Sequence, residues 1–270
     1  METYKKIVQS GDLIEVYTYE RPPAPRRNGL RSAYKRNKTR KANLQRHRSH
    51  ESIQRAYSAF RRKVRTNLYH QKTKPHFVTL TMLDIVMLPV ANKLLTKFIA
   101  KLRKHEPQHT YIAVPEFQKR GAVHYYILVW GLPHDTHISE IHTRRLQSLW
   151  GYGYVDVIAT DGNPKIASYM AKYMQKAMRD DRLVGNKAYT STRRLMRSVS
   201  LNTPFQIAFF ESEWGNVTNP EDIHIPDLQL VHSRDYVTKW LGRATLKVFN
   251  AKIQNENNPH KQNTDHSEGR

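Results

Sequence analysis

The segment SYMAKYMQK sets two phenols among ammonium groups. At about 100° per residue, Lys165, Tyr169, Lys172, Tyr173 and Lys176 fall within an arc of roughly 100° on a helix, with Ile166, Met170, Met174 and Ala177 beside it. The apolar flank is suited to packing, and the other carries side chains of nucleophilic and phosphate-binding type. A second pair, Glu116 and His124, flanks the short stretch QKRGA. If that stretch turns a hairpin in the right register, a carboxylate and an imidazole converge from adjacent strands as a half-site for Mn²⁺ or Mg²⁺. Side chains alternate along a strand, so His124, Tyr126, Leu128 and Trp130 share one face and Val123, Tyr125, Ile127 and Val129 the other. Each feature alone has a plainer reading. Tyr/Lys alternation also describes side chains that snorkel on a solvated face, and a single strand histidine is commonly structural.

The elements that must position these residues follow from periodicity. From Glu51, the residues Ile53, Ala56, Tyr57, Phe60, Val64 and Leu68 recur at helical spacing between Arg55, Arg61, Arg62, Lys63 and Arg65, which predicts an amphipathic helix with a basic outer side. Residues His76 to Met82 read as a strand. Leu88 to Lys104 reads as a helix, with Pro89 suited to its first turn and Leu94, Phe98 and Leu102 on one stripe. Thr110 to Phe117 and Val123 to Trp130 form a hairpin pattern, with Gly121 available for the turn. Ile138 to Leu149 is helical, Tyr154 to Ala159 strand-like, and Pro164 to Met178 helical behind an Asn163 cap. The order from His76 predicts an α+β fold, a ferredoxin-like or RRM-like antiparallel sheet (β-α-β-β-α-β) with both crossover helices on one face. Beyond Met178, Lys187 to Pro204 is basic and rich in Ser and Thr, Phe205 to Trp214 reads as a short strand, and Arg234 to Ile253 as a helix. Gln254 to Arg270 contains no apolar side chain and reads as disordered. The predicted organisation is a basic arm over 1–50, the site-bearing domain with its leading helix over 51–204, an extension over 205–253 and a tail over 254–270.

Among 270 residues, 45 Lys and Arg against 23 Asp and Glu give a formal net charge of +22, which favours a polyanionic partner, nucleic acid first. Between Arg21 and His50 stand 11 Lys or Arg and no acidic residue, either a phosphate-binding arm or a solvated linker. The lack of cysteine excludes a disulfide framework, a Cys-type zinc finger, an iron–sulfur cluster and a thiol nucleophile. Apolar runs fall short of the ~20 residues of a membrane span, and no signal core opens the chain, so a soluble protein that is not exported is expected. No GxxxxGK[ST] loop is present, so unwinding of duplex DNA is expected to need a separate helicase.

EFQKRGAVHYYILVWG, followed some distance on by YMAKYMQK, resembles the motifs of the rolling-circle replication initiators, the HUH endonucleases of small phages and plasmids. FVTLT at Phe77 to Thr81 looks like their first motif. ESIQRAYSAFRRKVRTN and KAYTSTRRLMRSVSLNTP resemble the upstream helix and downstream basic segment of the phage-type initiators with two tyrosines. The likeness covers roughly Glu51 to Pro204. One position departs from it: the family's His, apolar, His motif reads His124, Tyr125, Tyr126 here.

The resemblance implies a metal-dependent nicking and joining of single-stranded DNA at an origin. A phenol attacks a phosphodiester, becomes linked to the 5′ phosphate and releases a 3′ hydroxyl that a host polymerase extends. Tyr169 aligns with the first tyrosine as nucleophile, Tyr173 would take the second strand transfer, and Lys172 would favour the phenolate. His124 and Glu116, with Tyr126 in place of the missing imidazole, would hold Mn²⁺ or Mg²⁺; His134 or His137 could supply the missing ligand instead, or metal-dependent nicking could be lost. Lys119, Arg120, Lys165, Lys176, Arg193, Arg194 and Arg197 are candidates for nucleic-acid contacts. The expected setting is the cytoplasm of a bacterial or archaeal host, with an origin hairpin as substrate and no membrane partner. The alternatives are a nuclease-inactive origin-binding regulator and an RRM-like module stacking bases on His76, Phe77, Tyr125 and Tyr126.

Overall fold

The computed structural model describes residues 4–23, 49–133, 139–214, 228–238 and 240–251. In chain order these form β1 (Tyr4–Ser10), β2 (Leu13–Tyr19), α1 (His50–His70), β3 (His76–Thr81), α2 (Leu88–His105), β4 (Thr110–Phe117), β5 (Val123–Trp130) and α3 (Ser139–Trp150). There follow β6 (Val155–Ala159), α4 (Lys165–Met178), β7 (Thr190–Ser191), β8 (Val199–Leu201), α5 (Pro204–Trp214), β9 (Leu228–Thr238) and β10 (Gly242–Ala251). The chain divides into two compact units, Pro25–Ser198 and a second made of Met1–Ala24 with Val199–Arg270.

The larger unit is built on an antiparallel sheet of order β6-β3-β5-β4-β7. Its first four strands are in the ferredoxin-like order, as expected. α2 and α3 lie together on one face, where Phe98 meets Trp150 edge-on at 5.8 Å and the Tyr125 hydroxyl donates to Asn92 at 2.8 Å. α4 occupies the opposite face, its rings on Tyr126 of β5, and α1 packs against it. α1 starts at Ser49, whose hydroxyl accepts from the Ser52 amide at 3.2 Å, and buries Ile53, Phe60 and Val64. At the start of α4 the Asn163 side chain accepts from the Lys165 amide at 2.9 Å. A single hydrophobic core runs through this unit, with Trp130, Trp150, Tyr125, Phe60 and Phe98 almost fully enclosed.

The smaller unit departs from expectation. The first twenty residues are not part of an arm: β1 and β2 pair as a hairpin inside a second antiparallel sheet of order β8-β1-β2-β10-β9. Phe205–Trp214, read as a strand, is the helix α5, and Arg234–Ile253, read as a helix, contributes strands β9 and β10. The boundaries drawn at residues 50 and 204 therefore move, because chain-distant strands complete one sheet. Ile7, Ile14, Val16 and Phe249 form its core with Ile207 and Phe210 of α5. Most of the basic run between Arg21 and His50, and the tail from Gln254, lie outside the described residues. Among the described residues no helix is long and apolar enough to cross a membrane.

Candidate active site

The hairpin register brings the two candidate ligands together. β4 and β5 pair with Glu116 directly opposite His124, and Gly121, at φ +94°, closes the turn that sets this register. Tyr126 lies two residues further along β5, on the same face as His124, and Phe77 of β3 stacks on it at 5.7 Å. α4 lays its tyrosines over this face. Tyr173 rests on Tyr126 with ring centroids 4.0 Å apart, Tyr169 stands 5.7 Å from Phe77, and the two phenolic oxygens of α4 are hydrogen-bonded at 2.8 Å. Met170, Met174 and Ala177 are buried, as the arc of the helix requires, whereas Tyr169 is 46% exposed.

Glu116 is the hub. It is 8% exposed, its Oε2 accepts from the Tyr126 hydroxyl at 2.7 Å, and its Oε1 accepts from Lys176 Nζ. Burial and the neighbouring Glu116 charge push the Tyr126 phenol far above its ordinary value, so Tyr126 is a protonated donor to the carboxylate. The Tyr169 phenol is pushed up to about 12, first by its bond to Tyr173, then by partial burial and the negative charge nearby. His124 is held below the ordinary histidine value by burial, against the pull of Glu116, and is therefore neutral at pH 7. Its Nε2 is buried without a hydrogen-bond partner. An orphaned imidazole nitrogen opposite a carboxylate fits a divalent ion, with Glu116 and His124 as the two protein ligands. Tyr126 fits poorly as a third, since its proton is committed to Glu116. Among the described residues no group of three or more His, Cys, Asp or Glu converges. His134 and His137 lie outside the described residues.

The remaining candidates separate by what they touch. Lys119, Lys165, Lys172, Arg193 and Arg197 are exposed. Arg120 is committed to structure: its guanidinium donates to Gln118 Oε1 at 2.9 Å, to the Leu83 carbonyl at 2.8 Å and to the Met82 carbonyl. Arg194 is spent similarly, on Gln108 Oε1 and the carbonyls of Pro107 and His109. Lys176 is at the carboxylate. His76, Phe77, Tyr125 and Tyr126 do not form an open stacking platform: His76 and Tyr125 are 3% and 1% exposed, and Tyr126 lies under Tyr173. Sequence reasoning missed the Lys176–Glu116 pair, although Lys176 continues the basic arc of α4 toward β4.

Residues 75–178, which run from β3 through α4 and contain every group around Glu116, match the family model of replication-associated protein ORF2. Comparison with solved structures returned the N-terminal nuclease domain of non-structural protein-1 from minute virus of mice, at 10% identity and a TM-score of 0.21, covering 77% of this chain and 76% of that one. That likeness is too loose to bear on the site. The curated proteins gave no match. The segment from β3 to α4 is a replication-associated domain of the ORF2 family, and the chain is a rolling-circle replication initiator of the kind its motifs resemble.

Proposed function

We propose that the chain opens replication by nicking single-stranded DNA at its origin through transesterification by Tyr169. The observation that carries this reading is the exposed Tyr169 phenol, hydrogen-bonded to Tyr173 at 2.8 Å above the paired Glu116 and His124. Tyr169 Oη bonds to phosphorus, the bond from phosphorus to the 3′ oxygen breaks, and that oxygen leaves as a hydroxyl once protonated. The DNA downstream of the nick stays on the protein through its 5′ phosphate, and the 3′ hydroxyl primes a host polymerase. The proton of Tyr169 departs toward Tyr173, whose ring rests on Tyr126, which in turn donates to Glu116. Tyr173 then serves the second strand transfer.

Glu116 and His124 would hold a divalent ion, Mn²⁺ or Mg²⁺, which when bound neutralises the scissile phosphate and polarises its P–O bond. Lys172, exposed and one turn from Tyr169, supplies positive charge to the phosphate and favours the phenolate. The substrate is a single-stranded origin segment or hairpin, opened by a separate helicase. Incubation of the protein with single-stranded DNA and Mn²⁺ should yield a covalent, heat-stable adduct on a denaturing gel; DNA binding without an adduct would reduce the chain to an origin-binding regulator.

A further inference from the structure

We infer that Lys176 is a displaceable counter-ion of Glu116, neutralising the carboxylate in the resting protein so that a divalent ion gains it only by expelling the ammonium. The inference rests on the metal-assisted reading of the site. Both oxygens of Glu116 are occupied, one by Tyr126 and one by Lys176. These two donors differ in how firmly they are held. Tyr126 is wedged between the rings of Phe77 and Tyr173. The Lys176 side chain is 68% exposed against 10% for Glu116, so it reaches in from solvent and can swing out without disturbing the core. A carboxylate this enclosed requires a positive partner, because removing a charge from water without one is costly. The opposite ligand has no such competitor, since His124 Nε2 is buried and unpartnered. The site therefore presents one open ligand and one capped by a cation on a tether.

The tether also decides where the ammonium goes. Lys176 lies one turn beyond Tyr173 and two beyond Tyr169 on the same face of α4, so once expelled it remains beside the phenols, where a phosphate would sit. One charge thus guards the carboxylate before the ion arrives and serves the DNA afterwards.

The test uses the full chain without DNA, with Mn²⁺ alone as probe, and follows free Mn²⁺ by electron paramagnetic resonance at fixed pH and ionic strength. Lys176→Gln should bind Mn²⁺ roughly five-fold more tightly or better than wild type, the scale of one partly exposed ion pair. Lys176→Arg should stay at the wild-type value because a guanidinium restores the pair, and His124→Ala should weaken binding in either background. Unchanged or weaker affinity in Lys176→Gln overturns the inference and leaves the metal reading intact. Failure of both wild type and Lys176→Gln to bind Mn²⁺, with folding verified by circular dichroism, overturns the metal reading and the inference together.

Discussion

Tyr169 and Tyr173 share a hydrogen bond but not an environment. Tyr169 is 46% exposed, whereas Tyr173 is pressed against Tyr126, so a DNA strand reaches Tyr169 first. Tyr169→Phe should therefore abolish the first cleavage, a loss of at least about a thousand-fold in adduct formation, since no other phenol can replace a removed nucleophile without moving. Tyr173→Phe should keep that first adduct and impair the second strand transfer, which an assay with two oligonucleotides separates; the assignment is wrong if the two variants exchange phenotypes. The raised Tyr169 phenol also sets a pH dependence. With a value of about 12, its reactive phenolate grows with pH throughout the neutral range. When the chemical step limits, the rate of adduct formation should rise about ten-fold per pH unit between about 7 and 9. Tyr173→Phe removes the largest cause of the upward shift, so at a given pH it should make the first cleavage faster. A flat profile would place another step in control.

At the scale of elements, α1 is fixed to the rest of its unit by one buried amide. Asn67 is fully buried, and its side chain donates to the carbonyls of Lys63 at 2.7 Å and Met196 at 2.9 Å while accepting from the Met196 amide at 3.0 Å. Asn67→Ala leaves both Met196 groups unpaired and should destabilise this unit by about 2–4 kcal/mol, measured as a shift of the urea midpoint. A change below about 0.5 kcal/mol would show that the segment around Met196 does not depend on α1. The larger unit was legible in the sequence because each of its elements carries its own period. Glu116 and His124 could be paired because strand alternation and Gly121 fix the register locally. The smaller unit hides its elements. In β1, Ile7 and Val8 are both buried, so no alternation marks the strand. In α5, Phe205 and Phe209 are exposed while Ile207 and Phe210 are buried, which leaves apolar residues on every side and no helical stripe. β10 is a strand because it pairs with β2, a partner far away in the chain that no local pattern announces. The Lys176–Glu116 pair was hidden for the same reason: it depends on how α4 sits on β4.

Over the whole molecule, the charge of +22 sets how DNA is gathered, and the site sets what happens to it. Deleting residues 21–50 removes 11 Lys and Arg. Because each phosphate neutralised on a single strand contributes about 0.7 to the slope of log K against log salt, the deletion should weaken binding and flatten that slope. An unchanged slope would make the segment a spacer. Adduct formation on a short oligonucleotide should survive the deletion, since every group around Glu116 lies between β3 and α4. The most direct measurement of the central claim uses the intact chain and one origin oligonucleotide labelled at either end. After cleavage with Mn²⁺, only the label on the 3′ side of the nick should remain on the protein, the released fragment should be extendable by a polymerase, and mass spectrometry should find the nucleotide on Tyr169. A label retained from the 5′ side, or a linkage on any residue other than Tyr169 and Tyr173, would contradict the account.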